Sequence, residues 1–219
     1  MLVRFEGTLG RGVAAKDLIL HLIGTIGAAA GTGHAVEFAG SAIRALPVEG
    51  RLTICNLAVE LGAKIGMIAP DDVTFEYLAE RPLGPKGAEW EQALDYWRSL
   101  PTDEEATFDR EVAIDAAKVA PQVTWGTSPQ DVVSVDGRVP DPTTAPNADR
   151  RTAMAQALDY MGLAPGQPIA GTPRRARSTR MQSRSRPSRA AARCRRSPNI
   201  SRSSSAPAAS PTSPSIPMT

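Results

Sequence analysis

The stretch "RLTICNLAVELGAKIGMIAP", residues 51–70, joins a helical pattern directly to a strand pattern. Its first part, 51–64, carries apolar side chains at helical spacing, and its second part, 65–70, is a short apolar run that ends at a proline. A helix that leads at once into a buried strand is typical of α/β proteins, in which helices cover a sheet. The stretch therefore predicts an α/β fold, with a helix over 51–64 and a buried strand over 65–70.

The rest of the chain up to Pro173 repeats this alternation of strands and helices. The N-terminal run 1–7 predicts a strand with Val3 and Phe5 on one side, and 14–27 predicts a helix with a broad apolar stripe. Further strands are predicted at 33–40, 108–115 and 131–137. Further helices are predicted at 72–81, capped by Asp71 or Asp72, at 87–100, and at 147–163, with Asn147 as its cap and Gly162 as its C-terminal stop. Residues 1–173 thus read as one α/β domain.

Two polar side chains interrupt the apolar helix predicted at 51–64. At helical spacing Ile54, Leu57, Ala58 and Leu61 share one face, whereas Thr53, Asn56 and Glu60 form a polar stripe. Asn56 and Glu60 are four residues apart, so they stack on one side of the helix. The stripe either faces water, or it places an amide and a carboxylate together in a buried site, where burial would raise the carboxyl pKa into a catalytically useful range.

The formal net charge of +2 conceals two segments of opposite charge. Residues 174–219 contain eleven arginines and no Lys, Asp or Glu, which leaves 14 basic and 23 acidic residues in 1–173, a net charge of −9. The segment 1–173 is therefore acidic, and the overall basic balance gives no argument for nucleic-acid binding by it. No apolar run approaches the roughly 18 residues of a membrane-spanning helix, so no membrane partner is expected.

The C-terminal segment 174–219 has a composition of its own, because 36 of its 46 residues are Arg, Ser, Pro or Ala. Such a segment lacks the apolar surface needed to offset chain entropy, so a disordered tail is expected. Three origins compete: an RNA- or phosphate-binding segment, an ordinary solvated tail, or a stretch of G- and C-rich codons translated out of frame. The abrupt change after "GQPIAGTP" favours a frameshift near Pro173.

The remaining candidates for chemistry are few. The loop "GAAAGTGH", 27–34, matches neither the G-x-G-x-x-G nor the G-x-x-x-x-G-K-[ST] spacing of phosphate-binding loops. It also leads into a strand and not into a helix, so a tight connection between two elements is predicted. His21 is interpreted as a structural histidine, and neither it nor His34 belongs to a cluster with metal-ligand spacing. Cys55 is predicted to be a small core residue, while Cys194 lies in the tail. Two cysteines on opposite sides of the junction argue against a disulfide framework and favour a cytoplasmic location.

Four segments occur in an order that resembles the aconitase superfamily, closest to the large subunit of the isopropylmalate isomerases. They are "GTLGRGVAAKDLILHLIGTIGAAAGTGHAVEFAGSAI", "EGRLTICNLAVELGAKIGMIAPDDVTFEYL", "PQVTWGTSP" and "ALDYMGLAPGQPI". The resemblance covers about residues 1–170 without large gaps. It implies a three-layer α/β domain and a hydro-lyase that converts 2-isopropylmalate into 3-isopropylmalate in leucine biosynthesis, together with a separate small subunit.

The resemblance also implies a cofactor and two site residues. Members of the family use a [4Fe–4S] cluster with one open iron, which acts as a Lewis acid on the hydroxyl and carboxylate of the substrate. By matching motif, Asn56 would lie beside the cluster and Glu60 would reach the substrate hydroxyl or the cluster-bound water. The same match places Cys55 outside the set of cluster ligands.

The sequence departs from the family in its cysteines. The family's cluster ligands lie in a Gly-Ser-Cys-Thr-Asn motif and a later Cys-x-x-Cys, both beyond the point matched by 167–172, where this chain turns Arg- and Ser-rich. The family's N-terminal active-site motif also has no counterpart. We therefore expect a fragment, truncated before Met1 and frameshifted after about Pro173, that binds no cluster and is inactive alone.

Two other functions compete with this expectation. One is a related hydro-lyase, such as a homoaconitase or a citramalate or methylmalate isomerase, since the substrate pocket is formed partly by the small subunit. The other is a non-catalytic protein whose Arg- and Ser-rich tail recruits nucleic acid. Translation of the same DNA in its other frames would separate them, because an intact cysteine motif there would exclude an evolved tail.

Overall fold

The computed structural model describes residues 1–170, in which strands and helices alternate as the sequence predicts. The first half contains β1 (Leu2–Glu6), α1 (Ala15–Ile26), β2 (Ala35–Ala39), α2 (Ser41–Arg44), α3 (Val48–Leu57), a 3₁₀ turn (Ala58–Leu61), β3 (Ile65–Met67) and α4 (Asp72–Ala79). The second half contains α5 (Ala88–Arg98), β4 (Glu111–Asp115), a 3₁₀ turn (Ala116–Lys118), β5 (Gln122–Thr124), β6 (Val132–Ser134), a 3₁₀ turn (Pro142–Thr144) and α6 (Ala148–Met161). The predicted α/β class is confirmed.

Four strands form a parallel sheet in the order β3-β2-β1-β4. Val3 lies beside Phe38 of β2 and Val112 of β4, and alternate residues of the central strands therefore point to the same face. On that face Val3, Phe5 and Phe38 are buried in the main hydrophobic core with side chains of α1 and α3. The predicted strand at 1–7 and its apolar side are both confirmed.

The opposite face of the sheet is far more exposed within residues 1–170. Arg4, Glu6 and Glu111 are exposed on it, and β3 contributes Ile65 and Met67, which are 53% and 45% exposed. The prediction of a buried strand at 65–70 is therefore wrong. Because β3 is an edge strand and no helix within 1–170 covers its outer face, only the side that carries Gly66 packs against the protein.

Helix α1 connects the sheet to the second part of the fold. The Asp17 carboxylate accepts hydrogen bonds from the backbone N–H of Ala14 at 2.7 Å and of Gln122 at 2.7 Å, which fixes the start of the helix beside β5. Farther along, a Cβ on Gly24 would lie 2.4 Å from the side chain of Val132. Only glycine allows this close packing of α1 against β6.

The hairpin β5–β6 and helix α6 enclose a second, smaller core around Trp125. Buried Asp131 organises it: its carboxylate accepts from the backbone of Thr127 and Ser128 and from Arg150 Nη2 at 2.7 Å. The predicted ends of the last helix are confirmed, because the Asn147 side chain caps α6 and Gly162 ends it in a left-handed conformation. The motif "PQVTWGTSP" thus serves a structural core.

Helices α4 and α5 form a pair held by aromatic contacts. Asp71, one of the two predicted candidates, caps α4 by accepting from the Thr74 N–H. Trp97 stacks on Phe75 with ring centroids 6.1 Å apart, and Trp90 meets Trp97 edge-on at 5.7 Å. No residue of α5 is fully buried, so this helix adds little to either core.

The predicted tail and the expected absence of a membrane-spanning helix concern different parts of the chain. The Arg-rich segment 174–219, with Cys194 and the proposed frameshift, lies outside the described residues. Among the helices of residues 1–170, none is long and apolar enough to cross a membrane.

Candidate functional site

The helix that carries Asn56 and Glu60 differs from the predicted helix at both ends. It starts earlier, at Val48, and its α-helical part stops at Leu57, after which Ala58–Leu61 continue as a 3₁₀ turn. Gly62 then adopts a left-handed conformation, with φ of 83°, which ends the turn before β3. The single helix predicted over 51–64 is therefore corrected to an α-helix followed by a tighter turn.

The inward face of this segment is a stripe of four buried residues at helical spacing: Arg51, Ile54, Ala58 and Leu61. The predicted apolar face is largely confirmed, although Leu57 is only half-buried. Arg51 begins the stripe in a position that would suit an apolar residue.

The outward face carries both predicted site residues. Within residues 1–170, Asn56 and Glu60 are exposed. This agrees with the interpretation in which the polar stripe faces water. Two aliphatic side chains share this face, however: Leu52 is 57% exposed and Val59 is 65% exposed. We call these four residues the α3 outer surface; it mixes an amide and a carboxylate with apolar side chains that water solvates poorly.

Cys55 lies between the two faces of α3. It is half-buried, so the prediction of a core residue is only partly right, and burial raises the pKa of its thiol. A Cβ on Gly66 would lie 2.8 Å from the Cys55 carbonyl oxygen, so β3 passes directly beneath this residue. The raised pKa keeps the Cys55 side chain in its neutral thiol form at neutral pH.

Arg51 makes the densest polar contacts of the segment. Its side chain is 5% exposed and forms a two-point ion pair with Asp71, at 2.6 and 2.8 Å. The same guanidinium donates to the carbonyl oxygens of Arg44 at 2.8 Å and Leu46 at 3.0 Å, and to the Thr74 hydroxyl at 3.3 Å. Arg51 was not predicted as a site residue, although its spacing of three residues from Ile54 places it on the inward stripe.

The pKa of Asp71 reflects this pairing. Burial alone would raise the pKa of the carboxyl group, but the hydrogen bonds and positive charge of Arg51 outweigh it and hold the pKa below its usual value. Asp71 is therefore ionised at neutral pH and serves both Arg51 and the start of α4.

A second polar junction lies at the carboxyl end of the sheet, the edge where open α/β sheets bind ligands. The Glu6 carboxylate accepts from the Ser41 backbone N–H at 3.0 Å and its hydroxyl at 2.8 Å, and these bonds lower the pKa of Glu6. Ser41 in turn accepts from the Gly7 N–H at 2.8 Å. Because these groups satisfy one another, the junction joins β1 to α2.

The two histidines lie on α1 and in the connection before β2. His21 is half-buried on α1, where desolvation lowers its pKa and favours the neutral imidazole. His34 closes the connection 27–34 through a contact of its Nδ1 with the Thr32 carbonyl oxygen at 3.0 Å. The predicted tight connection is confirmed, since this segment forms turns that lead into β2.

The described residues do not fit an iron–sulfur cluster. Such a cluster needs several thiolates, and Cys55 is the only cysteine in 1–170. Across this part of the chain, no three His, Cys, Asp or Glu side chains are grouped to hold a metal ion. A cluster would therefore need thiolate ligands from outside these residues.

Comparison with known proteins assigns this architecture to a class. The model of the aconitase family, described as aconitate hydratase, matches residues 1–176. The fold and this match define an α/β protein of a hydro-lyase enzyme family. The chain belongs to the aconitase family.

A more specific similarity supports the assignment. The chain is 62% identical over 172 residues to the 3-isopropylmalate dehydratase large subunit 1 of Bradyrhizobium diazoefficiens. The match covers 78% of this chain but 36% of the relative. The chain thus spans about a third of the length of this relative.

Proposed function

We propose that residues 1–173 are the central part of a 3-isopropylmalate dehydratase large subunit. The assembled enzyme would isomerise 2-isopropylmalate to 3-isopropylmalate by dehydration and rehydration in leucine biosynthesis, in the cytoplasm. The observation that carries this proposal is the 62% identity over 172 residues to a large subunit of that name. Residues 174–219 would be a separate segment with no part in the activity.

Asn56 and Glu60 are the residues of this chain proposed to act in the reaction. Their exposure, beside Leu52 and Val59, suits a surface that the remainder of the enzyme covers, because two exposed aliphatic side chains gain from leaving water. Covering the surface would place the Glu60 carboxyl beside the substrate hydroxyl, where a carboxyl group can act in proton transfer. The Asn56 amide, which both donates and accepts hydrogen bonds, would orient groups beside it.

The family's [4Fe–4S] cluster would supply a Lewis acid for the leaving hydroxyl, held by cysteines that this chain does not provide. A separate small subunit would complete the substrate pocket. We therefore expect the 219-residue chain to be inactive alone, and activity to need both the rest of a large subunit and the small subunit.

A chimaera tests the proposal directly. The matched 172 residues of the Bradyrhizobium large subunit are replaced by those of this chain, and the chimaera is co-expressed with the cognate small subunit. We expect 2-isopropylmalate isomerisation by the chimaera, and a loss of kcat of about a hundredfold or more in Glu60→Gln, as for removal of a general acid–base group. Asn56→Ala is expected to lower kcat as well.

The matched control is Glu49→Gln, because Glu49 is an exposed glutamate on the same helix, close to its start and before Arg51. It is expected to retain kcat within about twofold, as for an exposed group in the first helical turn. A chimaera that folds and binds its cluster but does not isomerise the substrate would contradict the proposed function. Equal losses in the Glu49 and Glu60 variants would contradict the role of Glu60.

A further inference from the structure

Buried Arg51, paired with a half-buried Asp71, occupies an unusual place in α3. It takes the first position of the inward stripe that continues through Ile54 and Ala58, where an apolar side chain would pack into the core. Replacing a buried ion pair by apolar residues is often neutral or stabilising, so stability alone does not explain a charge at this position. A buried pair does impose a fixed geometry, because each donor must meet its acceptor.

The contacts of Arg51 join three segments. Its guanidinium reaches the carbonyl oxygen of Arg44, the last residue of α2, and that of Leu46 in the loop before α3. It also holds Asp71, whose carboxylate caps α4 at the Thr74 N–H. These bonds set both the position of α3 and its rotation about its own axis.

We propose that the Arg51–Asp71 pair is a positioning clamp that fixes where α3 and the 3₁₀ turn that follows it present Asn56 and Glu60. Arg51 touches neither residue and acts through the helix, which is rigid over the short span that separates it from Asn56. Ile54 and Ala58 bury the helix against the core, but apolar contacts allow small rotations that the two-point pair forbids. The effect of the clamp on catalysis rests on the proposed function, whereas its effect on the position of α3 does not.

The test replaces the pair without leaving a buried charge. In Arg51→Met with Asp71→Asn, the new asparagine still caps α4, and no ionised group remains in the pocket. Cys194→Ser in the background leaves Cys55, which adjoins Asn56, as the only thiol. The rate of Cys55 alkylation by a maleimide then reports the local placement of α3, and hydrogen exchange of residues 53–61 reports its opening.

We expect the urea midpoint of the double variant to match that of the parent, while the Cys55 alkylation rate rises about tenfold, the equivalent of about 1.4 kcal/mol of easier local opening. The matched control removes an exposed pair instead, Lys118→Met with Asp115→Asn, and is expected to leave the Cys55 rate unchanged. Unchanged Cys55 reactivity and exchange in the Arg51 variant would overturn the proposal. A faster Cys55 alkylation with the same urea dependence as global unfolding would also overturn the proposal, since that would indicate a purely structural role.

Arg51→Lys provides a second variant in case the double variant does not fold. Lysine keeps the charge opposite Asp71 but cannot reach the two carbonyl oxygens at the same time, so faster Cys55 alkylation is again expected. A Cys55 rate equal to that of the parent would overturn the clamp. None of these measurements needs an active enzyme, so they remain valid if the proposed function fails.

The catalytic consequence is measured in the chimaera. The double variant is expected to lose about a hundredfold in kcat with little change in KM, because a displacement of about 1 Å at a reacting group has that cost. A parent chimaera without activity would count against the proposed function alone. An active parent whose double variant keeps the parental kcat would count against the clamp alone.

Discussion

At the scale of single residues, Asp71 joins the charged guanidinium of Arg51 to the start of α4. It accepts from Arg51 at two oxygens and from the Thr74 N–H, and all three bonds favour the ionised carboxylate. Its pKa is accordingly lower in the folded protein than its usual value of 3.8. A group whose pKa is lowered by folding stabilises the native state while it is ionised, and this contribution disappears as the group becomes protonated.

The first prediction concerns the pH dependence of stability. The contribution of Asp71 is fully present above pH 3.8 and is lost as the pH falls through the lower, folded-state pKa. We expect Asp71→Asn to have a lower urea midpoint than the parent at pH 7, and the difference to shrink steadily below about pH 4. Urea unfolding followed by circular dichroism between pH 2 and 7 measures it, at roughly unit steps. A difference that does not change with pH would show that the charge of Asp71 does not matter.

The sequence predicted the residues of the α3 outer surface better than their environment. The spacing of Asn56 and Glu60 was sufficient to place them on one side, and both are exposed. The presence of Leu52 and Val59 on that surface was missed, although helical spacing places residues 52, 56 and 59 on one side. Arg51 was also missed, since a charged residue on an inward stripe becomes intelligible only when its partner, twenty residues later, is known.

At the scale of elements, the contact between α3 and β3 depends on Gly66. A Cβ at this position would lie 2.6 Å from the Ala58 side chain and 2.8 Å from the Cys55 carbonyl oxygen. The backbone oxygen cannot rotate away, so an added methyl group must separate the strand from the helix. The edge strand β3 is therefore held at a distance that only glycine allows.

Gly66→Ala is accordingly predicted to destabilise the protein by about 1–3 kcal/mol, the usual cost of overpacking. Gly10→Ala is the control, because a Cβ there meets its nearest atoms at the ordinary distances of 3.7 and 3.9 Å. We expect the control to remain within about 0.5 kcal/mol of the parent. Urea unfolding of both variants measures the difference, and equal stabilities would contradict the close packing of β3 beneath α3.

Periodicity identified most elements but not their surroundings. The apolar stripe of α1 and the caps Asp71 and Asn147 follow from local chemistry, and the structure confirms them. The short strand β5 was missed because only one of its three residues, Val123, is apolar. The strand at 65–67 was found but wrongly predicted as buried, since burial depends on which element lies on each face, and no local pattern records that.

At the scale of the whole molecule, helices cover one face of the parallel sheet within residues 1–170, and the other face is partly open. Parallel sheets are usually buried on both faces, yet Arg4, Glu6 and Glu111 alternate with core residues along β1 and β4. This face also carries the two exposed aliphatic side chains of β3, so both it and the α3 outer surface mix polar with apolar groups. Covering the α3 outer surface would desolvate Leu52 and Val59 together with one carboxylate, whereas covering the sheet face would desolvate three charges. The α3 outer surface is therefore the better candidate for contact with the remainder of the proposed large subunit.

The last prediction follows from the cysteine content of the whole chain. A family cluster needs three protein thiolates, and the 219 residues contain two cysteines, of which Cys55 is half-buried with a raised pKa. After anaerobic incubation of the purified chain with ferrous iron and sulfide, followed by desalting, we expect no visible iron–sulfur absorbance and no isomerisation of 2-isopropylmalate with the small subunit present. The full-length Bradyrhizobium large subunit, treated in parallel, is the positive control. A stable absorbance band in the 219-residue chain would contradict this prediction and show that its two thiols recruit other ligands. Absorbance in only the control and the chimaera would assign the cluster ligands to the roughly two thirds of the relative that this chain does not match.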